Sequence, residues 1–201
     1  KKEYDDHAIF LMKRYGVKNV EIIPTKYTTW EENFENPTFH EKYIAAGIRV
    51  YSLQSVLYGV KSDFNITSSE TLEHLKKVAK LCERVGARAI VIGSPKKRLL
   101  VSKGSTLISE MLISSVLQQV QESTDVDICL EPNSRQYGCE VGYDLESCSR
   151  MVSGRNFGIN FDTGNFMMEH DIIPSNWDVT KVKHCQVSAP FLRDIHFMDY
   201  D

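Results

Sequence analysis

What most constrains this chain is a repeated change of period. Short apolar or β-branched runs, too brief to be helices, alternate with longer stretches whose apolar residues recur every three or four positions. The runs are residues 20–23, 48–53, 89–92, 126–130, 157–161 and 182–187. The stretches between them carry helix punctuation. Thr38 and Glu41 have the T-x-x-E spacing of a capping box, with Gly47 placed to end that helix. Thr67 and Glu70 repeat the spacing, and Leu72, Leu75, Val78, Leu81 and Val85 follow as an apolar stripe stopped by Gly86. Ile108, Leu112, Val116 and Val120 mark another helix, and Asp144 reads as the N-cap of a short one running to Met151. Ahead of the first run, residues 9–15 read as a helix closed by Gly16.

Strand–helix alternation dictates parallel strands joined by crossover helices. A doubly wound sheet and a closed barrel both satisfy it. No glycine-rich phosphate fingerprint follows any run, which counts against a dinucleotide-binding sheet. Polar groups gather at the C-terminal ends of the runs, at Glu131, Asp162 and residues 184–188, where a barrel of this kind carries its site. The expected fold is therefore an α/β, (β/α)8 TIM barrel over a single domain, residues 1–201. It is incomplete: the six runs read as strands two to seven of eight, the chain opens on a helix, and residues 196–201 resemble the start of another.

Composition narrows the function. At 201 residues and 42% hydrophobic, the chain can bury one sizeable core. A net charge of −3 offers no basic footprint for nucleic acid, and no apolar run is long enough to span a membrane. The five cysteines include no C-x-x-C pair, which argues against a zinc ribbon and a disulfide framework and for reduced thiols in the cytoplasm.

Three successive strand ends each deliver a metal-competent group. Glu131 follows an apolar strand directly, and a carboxylate there needs a partner or a cation; the plainer alternative is a carboxylate capping a loop amide. Asp162 shares a strand face with Asn160, and a turn aspartate before glycine is its alternative. His184 shares a face with Gln186 and Ser188, and alone would read as a satisfied core histidine. Taken as a set, Glu131, Asp162 and His184 suit a divalent ion such as Mn²⁺, Mg²⁺, Co²⁺ or Zn²⁺. Ser94, with Lys96, Lys97 and Arg98, offers a hydroxyl and cations to an anionic substrate group, or else forms a solvated basic loop. Gln54 and Gln186 are expected to bind substrate hydroxyls, and Trp30 with Tyr27 to wall the site, unless they merely pack a loop.

These residues resemble a known family. Residues 20–25, Ser52-Leu53-Gln54-Ser55, Ile92-Gly93-Ser94-Pro95, Leu130-Glu131-Pro132-Asn133, Phe161-Asp162-Thr163-Gly164-Asn165 and residues 184–190 are similar, in order and spacing, to the sugar phosphate isomerase/epimerase family. This is the xylose-isomerase-like barrel superfamily, with tagatose and psicose epimerases, hydroxypyruvate isomerase and endonuclease IV among its members. The resemblance implies one divalent ion at the C-terminal face, held by Glu, Asp, His and a second Glu. Glu131, Asp162 and His184 match the first three, and the second Glu would lie beyond Asp201. Two departures stand out. The epimerases show D-x-x-H after strand six, where this chain has Asn165, and often H-x-H on strand seven, where it has His184-Cys185-Gln186. The implied activity is metal-dependent isomerisation or epimerisation of a sugar, sugar phosphate or related hydroxy-carbonyl compound through an enediolate, with Glu131 as base. The alternatives are an endonuclease IV-like phosphodiesterase and a degenerate barrel without catalysis. The expected partners are a small-molecule substrate and a second copy in a homodimer, with no nucleic acid and no membrane.

Overall fold

The computed structural model describes residues 2–60, 66–101, 105–169, 172–173, 175 and 177–192. Its strands are β1 (Asn19–Ile22), β2 (Arg49–Leu53), β3 (Ala89–Ile92), β4 (Asp127–Leu130), β5 (Phe157–Asp162) and β6 (Val182–Gln186). All five neighbouring pairs are parallel, in the order β1-β2-β3-β4-β5-β6. The helices are α1 (Lys2–Arg14), α2 (Trp30–Glu35), α3 (Glu41–Ala45), α4 (Ser69–Arg84), α5 (Thr106–Gln121), α6 (Leu145–Met151) and α7 (Thr163–Met168). The result is a curled, incomplete α/β barrel. Residues 196–201 lie outside the described residues.

The pleat sorts the strands into two layers. Ile90, Ile92, Ile128 and Leu130 belong to the main core, with Leu75, Val78 and Leu81 of α4 and Ile113 and Leu117 of α5. Ala89, Val91 and Cys129 form a separate small buried cluster. Successive side chains on β3 and β4 thus alternate between the helical layer and the barrel interior.

The capping signals are partly displaced. Asp144 caps α6 as expected, accepting from Ser147 N at 2.7 Å. The cap of α4 is Ser68, one residue past Thr67, and its hydroxyl accepts from Thr71 N at 3.1 Å. Thr38 caps nothing: α3 starts at Glu41 behind His40, with no side-chain cap bond. A capping box absent from the sequence reading forms at Thr29 and Glu32, opening α2.

Candidate active site at the C-terminal ends of the strands

β4 ends at Leu130, and Glu131 N still donates to Ile92 O at 3.0 Å, so the carboxylate leaves the sheet from a fixed backbone. Its Oε1 accepts from Asn133 Nδ2 at 2.6 Å and from Asn165 Nδ2 at 2.8 Å. Asp162 ends β5 and caps α7, its Oδ1 accepting from Asn165 N at 2.7 Å. Ser188 Oγ lies 2.9 Å from both oxygens of Asp162. The Asn165 amide also lies 3.2 Å from Asp162 Oδ1, so it bridges the two carboxylates. Burial, and then the charge of Asp162, push the Glu131 carboxyl up to about 7; the Arg98 guanidinium and the Asn133 and Asn160 amides act in the other direction.

Glu131 opens onto a cleft of about 730 Å³ whose walls include Gln54, Ser94, Lys96, Lys97, Tyr58 and Tyr137. A smaller cavity of about 410 Å³ shares Gln54, Glu131, Tyr137 and Asn165 with it and reaches Asp162 and Gln186. Ser55 and Ser94, at the mouths of β2 and β3, have φ of 54° and 52°. A non-glycine residue in this left-handed region costs roughly 1 kcal/mol or more, and such strain gathers at functional sites.

The structure brings together Glu131, Asp162, Gln54, Ser94 and Gln186 but not His184. The register pairs Asp162 with Gln186, and pairs His184 with Asn160 two residues earlier. His184 therefore sits one layer deeper. It is held there as one of five side chains linked in a ring. Ser52 Oγ donates to Glu21 Oε2 at 2.8 Å and lies 3.1 Å from His184 Nε2. His184 Nδ1 lies 2.7 Å from Asn160 Oδ1, and Asn160 Nδ2 donates to Gln186 Oε1 at 2.7 Å. Gln186 Nε2 returns to Glu21 Oε1 at 2.6 Å. The expected triad of Glu131, Asp162 and His184 thus fails to converge, because a strand advances its side chains by layers of two residues. Among the described residues, no three His, Cys, Asp or Glu side chains are grouped to hold a metal ion. The donors present do not fit the ion that the resemblance implied, nor the metal cluster of an endonuclease IV-like site.

Two other expectations are corrected. Arg98 is fully buried, not a solvent-facing anion contact. Its Nη1 donates to Gly142 O at 2.9 Å and its Nη2 to Asn133 Oδ1 at 2.5 Å, so it supports the amide that in turn contacts Glu131. Trp30 is 5% exposed, donates Nε1 to Tyr58 O at 2.8 Å and packs edge-on to His74. Its indole is used by the core, and Tyr27 is turned to Tyr43. The residues that the sequence did not single out are Asn133, Glu21 and Tyr137. Asn133 had a signal, since it lies two residues beyond Glu131.

A family model described as "Xylose isomerase-like TIM barrel" matches residues 9–201. No curated protein matches the chain by sequence. Among solved structures, a family 2 AP endonuclease from Brucella melitensis superposes with a TM-score of 0.60 at 11% identity, over 90% of this chain and 72% of that one. The IolI protein with a bound zinc atom gives 0.60 at 16% identity, over 95% and 70%. L-ribulose 3-epimerase gives 0.60 at 14% identity, over 91% of this chain but only 63% of its own length. These likenesses establish the fold. Among the described residues, no helix is long and apolar enough to cross a membrane.

Proposed function

The chain belongs to the xylose isomerase-like TIM barrel family, and from that premise we propose that it carries the site of an isomerase or epimerase acting on a sugar, sugar phosphate or related hydroxy-carbonyl compound. The observation behind this reading is Glu131: a carboxylate at a strand end, on the wall of a cleft, with its carboxyl pushed up to about 7. A base poised near neutrality combines the right protonation state with useful proton affinity. Glu131 takes the proton from the carbon beside the substrate carbonyl. The C–H electron pair becomes the C=C bond of an enediol, and negative charge moves to the former carbonyl oxygen. Lys96 and Lys97, on the cleft wall, are the cations placed to face that charge. The oxyanion then takes the proton of the adjacent enediol hydroxyl, and returning the abstracted proton to the former carbonyl carbon leaves the new carbonyl on the carbon that gave it up, which isomerises the substrate. Epimerisation needs delivery from the opposite face by a second group.

The test is exchange in D₂O. The full-length protein, incubated with a panel of ketoses and ketose phosphates, is expected to exchange the proton α to the carbonyl, read by NMR. Glu131→Gln keeps the shape but cannot accept a proton, and exchange should fall to background. Exchange at the wild-type rate in this variant rejects the assignment. A second reading, binding without turnover, is favoured by the amides that already occupy Oε1 of Glu131; sugar binding without exchange by the wild type would support it.

A further inference from the structure

We propose that the side-chain amide of Asn165 bridges Glu131 and Asp162 in the place a divalent cation would take, so that this site binds no such ion. The orientation of that amide is determined by its neighbours. Ser134 N donates to Asn165 Oδ1 at 3.1 Å, which leaves Nδ2 to face the carboxylates. Nδ2 lies 2.8 Å from Glu131 Oε1 and 3.2 Å from Asp162 Oδ1, between two acidic groups that would otherwise repel. A cation bound between them must displace this donor and leave Ser134 N without its acceptor.

Other donors also lie against these carboxylates. Glu131 Oε1 already accepts a second amide from Asn133, which Arg98 holds in position. Asp162 Oδ1 accepts from the backbone of Asn165, and the Ser188 hydroxyl lies against both Asp162 oxygens. The residue level with Asp162 on β6 is Gln186, and both ends of its amide are engaged by Asn160 and Glu21. His184, the one imidazole on β6, has both nitrogens within the buried ring. A site for a divalent ion needs deprotonated ligands with lone pairs aimed at one point. Here an uncharged amide N–H takes that point and hydrogen-bonds to both carboxylates.

The inference concerns the same pocket as the proposed reaction but is read with no substrate present, so either can fail without the other. Full-length wild-type protein is titrated with Mn²⁺, followed by electron paramagnetic resonance, and with Zn²⁺, followed by calorimetry. The expected result is no equivalent of either ion whose binding depends on Glu131, and Asn165 side-chain amide NMR signals that stay sharp in Mn²⁺. The double variant Asn165→Ala/Gln186→His removes the bridging amide and sets an imidazole level with Asp162. It should bind one equivalent of Mn²⁺ or Zn²⁺ that the wild type does not, through Glu131, Asp162 and the new imidazole. One equivalent bound by the wild type and lost in Glu131→Gln, or broadening of the Asn165 amide by Mn²⁺, overturns the proposal. The wild-type titration decides the question even where the double variant does not fold.

Discussion

Among the described residues Arg98 is the bulkiest fully buried side chain, and its hydrogen-bonded link to Glu131 runs through Asn133. Removing one partner from a buried, hydrogen-bonded charge leaves the others unpaired. Arg98→Met is therefore expected to lower unfolding free energy by about 3 kcal/mol in urea titrations. Arg98→Lys should restore little, because an ammonium cannot span Gly142 O and Asn133 Oδ1 as a planar fork does. Neither change should raise KM selectively for phosphorylated substrates, since the guanidinium is not on the cleft wall. Glu131 makes a prediction in pH. Its folded carboxyl titrates at about 7 against an ordinary 4.5, so the folded state holds the proton over that interval. The associated stability is full at the acid end and is lost as pH rises through 7. Relative to Glu131→Gln, the wild type should lose on the order of 2 kcal/mol between about pH 5 and pH 8 in chemical denaturation. Exchange catalysed by Glu131 should rise through the same pH and then level off. Position at a strand end was enough to pick out Glu131 and Asp162 in the sequence. Residue type and loop position do not report depth: His184 sits one layer below Asp162, and Arg98 is buried beneath the loop that carries it.

At the level of elements, close approach decides as much as periodicity. A Cβ on Gly158 of β5 would stand 2.5 Å from Lys181 O and nearer still to the Lys183 side chain, so β6 can lie against β5 only where no side chain intervenes. Gly158→Ala is expected to cost about 2 kcal/mol by overpacking, with its loss of hydrogen-exchange protection concentrated in β5 and β6. Ser68→Ala should remove about 1 kcal/mol by uncapping α4. The apolar stripe from Leu72 to Val85 made α4 plain in the sequence, while its cap was misread by one residue because Thr67 and Ser68 are both competent. The box at Thr29 and Glu32 was overlooked because α2 is too short to show a period. All six strands were legible, since buried parallel strands are continuous apolar runs bounded by turns.

Across the whole molecule, β1 and β6 are the edges of the sheet and share no backbone pairing, yet the ring of Glu21, Ser52, His184, Asn160 and Gln186 joins them through the interior. Coupling between Glu21→Gln and His184→Ala should therefore exceed about 1 kcal/mol in a double-mutant cycle, although 163 residues separate them in sequence (184 − 21). No reading of a single strand reveals such a ring, since its members come from four strands and meet only once the sheet has curled. Strand twist gives a sheet its tendency to roll but leaves the radius loose. The five side chains remove that freedom: their contacts run from 2.6 to 3.3 Å and so act as a gauge for the arc. Lengthening or shortening any one of them would reset the width of the doorway between β1 and β6, and any strand that docks there must fit an opening measured from the inside.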